Sequence, residues 1–465
     1  MNNKFEKISD FIQEMKNKNE PGSGIFFVAE NEKPNEQILQ SIQDLTKEPK
    51  IDQPVAVLSE AHKKPIIKSP SGTVVASSLH MLPEVMDAAP NCGMRVIKTD
   101  LKDEEMTSEN IELLFDEIKK TIPTGGLSGE VISKNLANEI FASGTSALTK
   151  RFELRTLNEM GNTYENGNFF KPAQHQLLAD PTKSIPSIIK WIAKFRLNLL
   201  GATNSHFLYL AKISEITNPE KAEALGLKDG QYVFFMHTGS SIVGRYTASL
   251  YTPRKIKSFL QRTIVSFLRK VSPQRIISIL PSARKTNDAL FAYDGESEAG
   301  KMFFSALGAV SNYGFANRAL ITRSLDFTLE KFFKRQVEMD LLYDAPHVFL
   351  SRERQSDKTL WIHRNGANRA FGPSLMSDHE IFQKTGEPVL IAPFEGTAGF
   401  IGVGTDENSL SYYSANHEIG KIKDLSITPE EYKEHGEKII FEMEKNKLIT
   451  LVAKVEPIKV LTYQK

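Results

Sequence analysis

Apolar positions along this chain recur with two periods, and the change from one to the other predicts its elements. Phe5, Ile8, Phe11, Ile12 and Met15 return every three or four residues, which predicts an opening amphipathic helix that stops before the turn-rich stretch Glu20–Gly24. The short apolar runs Ile25–Ala29, Val55–Leu58, Tyr232–Met236, Leu360–His363, Val389–Ala392 and Phe400–Val403 predict strands, and Leu448–Val455 alternates like a half-buried one. Helical spacing covers Glu105–Ile122, Ile185–Leu200, Arg254–Val271 and Arg323–Asp340. Thr428, Pro429 and Glu431 form a helix start with a capping box. No repeat, low-complexity block or linker divides the chain. The expected fold is therefore α+β: one large mixed domain over residues 51–465, with residues 1–50 a variable segment, helix plus strand, packed on it.

Composition narrows this picture. The 465 residues, 40% of them hydrophobic, are ample for a core, although length alone would allow two or three domains. No run of 18 apolar residues occurs, and Lys4, Glu6 and Asp10 stand where a secretory leader would be apolar, so a soluble cytoplasmic protein without a membrane partner is expected. A single cysteine excludes an internal disulfide framework, leaving Cys92 as a small buried hydrophobe or a thiolate with chemistry to do. Net charge is +1, but residues 230–287 hold no Asp or Glu while carrying Arg245, Arg262, Arg269, Lys270 and Arg275 among their basic residues. Such a segment, with Arg262 and Arg269 as its candidate contacts, is either a track for an RNA backbone or a solvated helix face.

Ten histidines are present, and four stand in unusual settings. His206 in LGATNSHF, His237 opening HTGS, His347 closing YDAPH and His417 in SANHEIGK each follow an apolar or glycine-rich segment beside small or turn-forming residues, where a strand hands a side chain to a site. With Cys92 in PNCGMR they could offer a thiolate and several imidazoles to manganese, zinc or iron, and ligand softness does not choose among these. The remaining His62, His80, His175, His379 and His435 read as ordinary surface residues.

At this point a family resemblance emerges. CGMRVIKTDL from Cys92, LGATNSHF, HTGS, ANRALITR at Ala316–Arg323, YDAPH, HRNGANRAFGP at His363–Pro373, GEPVLIAPFEGTAGFIGVGT and SANHEIGK resemble, in the same order, the conserved blocks of the RtcB RNA ligase family. The resemblance implies sheets with flanking helices around a central metal cleft, and a monomer. It implies a ligase using GTP and two manganese ions to join RNA 2′,3′-cyclic phosphate or 3′-phosphate ends to 5′-hydroxyl ends, in RNA splicing or repair, with an archease-like activator as a possible partner. It assigns Cys92 as the ligand bridging the two metals, completed by His206, His237 and His347, and His417 as the nucleophile that takes GMP.

Departures from the family pattern concentrate around the metal rim and the nucleotide. Ala89 stands where the family has a metal-ligating Asp, and Asp87, two residues upstream, is the candidate replacement. Ser205 replaces an Asn, with Asn204 one residue off; Tyr209 replaces an acidic guanine-reading residue; Ser241 and Ile242 replace an Arg-Gly pair; Gly399 replaces a Ser. Lys421 replaces an Arg, keeping charge without its bidentate fork. Lys465 is the candidate for a near-terminal nucleotide-binding lysine. His363 and Arg364 are candidate RNA-phosphate contacts or a buried hydrogen-bonded pair, and Asp344 is a candidate to orient an imidazole or a turn-former before Pro346. A metal-dependent phosphoesterase or nuclease, and a non-catalytic RNA-binding relative, remain the alternatives.

Overall fold

Strand pairing in the computed structural model sorts most of the apolar runs into two seven-stranded sheets. It describes residues 4–16, 22–29, 34–64, 67–126, 131–201, 203, 205–253, 258–280, 290–355, 357–393, 397–419 and 428–463. The first sheet runs in the order Lys4–Ser9, Ile12–Lys16, Ser23–Phe26, Asp52–His62, Ser71–Ser77, Lys358–Asn365, Val348–Gln355. The second runs Met339–Pro346, Gly93–Thr99, Tyr232–Thr238, Phe207–Ile216, Ile449–Thr462, Gly399–Gly404, Pro388–Ile391, antiparallel throughout.

The second sheet is covered on both faces, which is why its strands read as unbroken apolar runs such as Tyr232–Met236. Alternate residues divide between two cores: Met94, Val96 and Phe235 on one side, Ile97, Phe234 and Met236 on the other. The latter face is packed by Leu114, Phe115 and Ile118 of the helix Ser108–Thr121 and by Ile321, Leu325 and Leu329 of the long helix Glu298–Phe333. A third core joins the two sheets, with Ala56, Val74 and Ile362 of the first meeting Val389, Phe400 and Ile449 of the second under Ile439, Ile440 and Met443 of the helix Pro429–Lys445. Its predicted capping box is present: Thr428 accepts from the Glu431 amide and Glu431 reaches back to the Thr428 amide.

Three expectations are corrected. The opening segment is a hairpin, Lys4–Ser9 paired with Ile12–Lys16, not a helix. Its apolar positions follow the helical spacing, but pairing of Ile12–Lys16 with Ser23–Phe26, which buries Ile12 and Met15, overrides it. The helix of this region lies instead at Glu36–Thr46, capped by Asn35 and burying Ile38, Ile42 and Leu45 against Met15 and Phe26. Ile185–Leu200 is helical only over Ser187–Ala193, after Pro186, and continues through Asn198 in the left-handed region at φ 55°. Arg323–Asp340 holds the last part of the 36-residue helix Glu298–Phe333, which ends at Lys334 (φ 57°) before the strand Met339–Pro346 begins. Most of that helix is apolar all round and buried, so it shows no stripe to reveal it in sequence.

Candidate active site

Antiparallel register brings four side chains to one end of the second sheet. Pro346 pairs with Gly93, Gly93 with Thr238, and His237 with both Met94 and Phe207. His347 just after one strand, Cys92 just before the next, His237 near the end of the third and His206 just before the fourth therefore come together. Backbone bonds fix the arrangement: the His347 amide donates to the Cys92 carbonyl at 2.9 Å and the Asn91 amide to Val348 at 2.8 Å.

The Cys92 Sγ lies 3.2 Å from His237 Nε2 and 3.6 Å from His206 Nε2, and His237 Nε2 lies 3.2 Å from His347 Nε2. The donor atoms of Cys92, His237 and His347 are all within 4.8 Å of one another. His206 Nδ1 donates to the Leu200 carbonyl at 2.9 Å, which leaves its Nε2 lone pair facing the sulfur. A Cβ at Gly201, where φ is +113°, would come within 2.4 Å of that Nδ1, so the turn requires glycine.

Burial lowers the proton affinity of these rings, His206 to about 4 and His237 and His347 well below the ordinary value, so they stand as neutral donors. Burial pushes the Cys92 thiol up to about 12, with Asp87 adding to the effect. The His347 Nδ1 is buried with no hydrogen-bond partner among the described residues. One sulfur and three neutral imidazoles, converging with an unmatched ring nitrogen, fit a divalent transition-metal ion as a donor set.

Beside this group stands His417. The strand Ser414–Asn416 pairs with Ala367–Arg369, and the His347 carbonyl accepts from the Gly366 and Ala367 amides at 2.8 and 2.9 Å, which ties the loop of His417 to the sheet end. The His417 ring centroid is 4.4 Å from that of His347. Its Nδ1 lies 3.0 Å from Glu60 Oε1, and the His417 and Glu418 backbone amides donate to the same carboxylate at 3.0 and 2.9 Å. Burial pushes the Glu60 carboxyl up while His417 opposes it. Burial also works against a charged His417 ring, but Glu60 and then Glu418 hold its proton affinity above the usual value. Glu60 thus holds Nδ1, and Nε2 lies 4.0 Å from Glu418 Oε2.

A cavity of about 400 Å³ opens over these groups, walled by Cys92, His206, His237, His347 and His417 together with Asp87, Lys64 and Glu418. Asp87 shares it but is paired with Lys64 at 3.0 Å, its amide held by the Asn365 side chain at 3.1 Å. Beneath the wall, Arg318 of the long helix is fully buried and holds Asp344 at 2.6 Å, the Thr238 carbonyl at 2.9 Å and the Asn91 side chain at 2.9 Å. Asp344 also binds Arg95 at 2.7 Å, so it orients two arginines under the sheet end and no imidazole.

Other predicted residues are placed differently. His363 and Arg364 face inward: His363 accepts from the Leu82 amide at 2.8 Å, and Arg364 pairs with Glu353 and donates to Ser414, with neither side chain exposed beyond 1%. The buried hydrogen-bonded reading describes both, and the RNA-contact reading does not. Ser205 lines the cavity; Tyr209 packs on Phe207 in the strand Phe207–Ile216; Gly399 pairs with Val455, where a Cβ would meet Pro393 at 2.7 Å. Arg262 is exposed on the helix Phe259–Lys270, whereas Arg269 is half-buried and donates to the Leu250 carbonyl at 3.2 Å. Asn204, Lys421 and Lys465 lie outside the described residues. His175 is core, stacked on Phe169, and His62 lines the cavity 3.8 Å from Glu418, so neither is the surface residue expected. Sequence reading missed Glu60 and Lys64, which sit in no recognisable motif, and Glu418, which sits inside SANHEIGK beside His417.

The sequence has known relatives. The profile described as tRNA-splicing ligase RtcB matches residues 41–426. This chain belongs to the RtcB family. It is 28% identical over 353 residues to the tRNA-splicing ligase RtcB of Methanococcus maripaludis, covering 72% of this chain and 67% of that protein. It is 29% identical over 359 residues to the tRNA-splicing ligase RtcB of Pyrococcus horikoshii, covering 74% of this chain and 37% of that protein. Identity to RNA-splicing ligase RtcB homolog 2 of Entamoeba dispar is 26% over 369 residues, covering 74% and 64%. The matched part of this chain thus spans from about a third to two thirds of these relatives. No helix among the described residues is long and apolar enough to cross a membrane.

Proposed function

We propose that this chain is a manganese- and GTP-dependent RNA ligase that joins a 3′-phosphate, or a 2′,3′-cyclic phosphate after its opening by water, to a 5′-hydroxyl. The observation that carries this reading is the His417 ring, 4.4 Å from His347 of the donor group and held at Nδ1 by buried Glu60. A plain RNA-binding protein has no use for an imidazole so prepared; a hydrolase would use one as acid, base or nucleophile toward water, and the joining assay below separates that from ligation.

Cys92, His206, His237 and His347 would hold the metals, with Asp87 the candidate for the carboxylate that Ala89 lacks. Two manganese ions, when bound, polarise phosphoryl oxygens and steady the charge of an in-line displacement. The His417 Nε2 attacks the α-phosphorus of GTP; the N–P bond forms as the bond to pyrophosphate breaks, and Glu60 keeps the Nδ1 proton and its rising charge. An oxygen of the RNA 3′-phosphate then takes GMP from His417, which returns the free imidazole. Attack of the 5′-hydroxyl oxygen on that activated phosphate seals the strand and expels GMP. Asn204, Ser205, Tyr209, Gly399, Lys421 and Lys465 are the proposed nucleotide contacts, and Arg262 with Arg269 the proposed contacts to the RNA backbone. Residues 51–465 form the catalytic domain in this reading, acting as a cytoplasmic monomer with an archease-like activator, in tRNA splicing or RNA repair.

The test is a joining assay with the full chain, manganese, GTP and two oligoribonucleotides, one ending in 3′-phosphate and one starting with 5′-hydroxyl. The expected result is a joined product that requires both GTP and the 3′-phosphate. Loss of the phosphate or strand cleavage, with no joined product under any nucleoside triphosphate, would establish the phosphoesterase reading instead.

A further inference from the structure

The cavity holds more positive charge than the proposed chemistry has yet used. Lys64 is matched by Asp87, but Arg196 and Arg245, which also line the cavity, have no side-chain hydrogen bond or ion pair among the described residues. Arg196 follows the short helix Ser187–Ala193 and is half-buried, and its Nε is a buried atom without a hydrogen-bond partner. Burial with no carboxylate beside it lowers the proton affinity of its guanidinium. Arg245 stands exposed at the cavity mouth on the helix Ser241–Tyr251, and its charge acts on both Cys92 and His206.

A buried, unpaired guanidinium nitrogen costs free energy unless an anion meets it. The start of the helix Ser241–Tyr251 points the same way. Its N-cap Ser240 makes no capping hydrogen bond, and Ser240, Ser241 and Ile242 all line the cavity.

We infer that Arg196 and Arg245 together form a seat for a phosphate monoester beside the Cys92–His237–His347 group. This rests on the ligase reading and names the residues that hold its charged substrate. The same chemistry is offered by the 3′-phosphate of an RNA end and by the phosphates of a free nucleoside triphosphate. A guanidinium fork matches either, bidentately, where an ammonium cannot.

The experiment measures binding without turnover. The full chain with manganese is titrated, in the absence of GTP, with fluorescent oligoribonucleotides identical except for a 3′-phosphate or a 3′-hydroxyl end, and separately with a non-hydrolysable GTP analogue. Charge-assisted pairs of this kind predict a preference for the 3′-phosphate of roughly tenfold or more. The Arg196→Gln/Arg245→Gln double variant should erase that preference while leaving 3′-hydroxyl RNA binding within about twofold, and Arg245→Lys should keep part of it. If the double variant keeps the preference but loses affinity for the analogue by a similar factor, the seat takes the phosphates of the nucleotide. Unchanged discrimination and unchanged analogue binding, in a variant with the parent's melting temperature, would overturn the inference. A protein that fails to join RNA but still loses end discrimination on these substitutions would refute the ligase reading and leave the seat standing.

Discussion

At the inner wall of the cavity, Cys92, His206, His237 and His347 hang from the ends of four hydrogen-bonded strands; at its mouth, Arg196, Ser205, Ser241 and Arg245 hang from short helices and turns. The inner positions are locked by register, since a slip of one residue would turn every donor to the opposite face. Arg318, Asp344 and Arg95 brace them from below as a buried, hydrogen-bonded set. Among the described residues no such lattice fixes the mouth, where Ser205, Ser241 and Ile242 depart from the family's pattern, as Ala89 does in its loop; Tyr209 and Gly399 depart within strands. The donor group and the mouth of the cavity are built by different parts of the chain.

The strongest way to break this contrast is to attack the wall. Cys92→Ser should lose bound manganese and joining activity together, because an alcohol is a far poorer metal ligand than a thiolate; metal analysis beside the joining assay reads both. Next in size, Arg318→Met leaves Asp344 with one partner fewer in the dry interior, and a cost of about 3–5 kcal/mol is expected in denaturant unfolding. A loss under about 1 kcal/mol would show that the brace contributes little to stability. Glu60→Gln should keep the fold and the metal but slow nucleotidyl transfer to His417 by roughly 100-fold, the usual scale for a positioned acid–base group. Transfer at the parent's rate would remove Glu60 from the reaction. The smallest effect belongs to the outer surface: Arg262→Glu should weaken RNA binding a few-fold and reduce its salt slope by about one. An unchanged slope would make that helix an ordinary solvated face.

Legibility in the sequence followed the same division. Donors at strand ends were readable because an apolar run, a histidine and a small residue follow one another, as in Tyr232–Ser240. Strands such as Tyr232–Thr238 and Gly399–Gly404 were marked by apolar runs, whereas Ser71–Ser77, Gly93–Thr99 and Phe207–Ile216 were not. Partners arriving from elsewhere in the chain could not: Glu60 lies within the strand Asp52–His62, 357 residues before His417, and nothing in VLSEAH marks its carboxylate. Arg364 read either as an RNA-phosphate contact or as a member of a buried pair, and its fork closes on Glu353 in the paired strand. The opening hairpin read as a helix because its five apolar residues recur every three or four positions, and pairing with the neighbouring strand overrides that local spacing. Local pattern carries local structure, whereas cross-chain pairing decides what a polar side chain meets.

The central claim is that His417 accepts a nucleotide beside the metal donors. The most direct measurement is incubation of the full chain with manganese and labelled GTP, followed by denaturing separation and peptide mass analysis. The account predicts one acid-labile GMP on His417, absent from His417→Ala. Label on another residue, or none in a protein that binds both manganese and GTP, would contradict it.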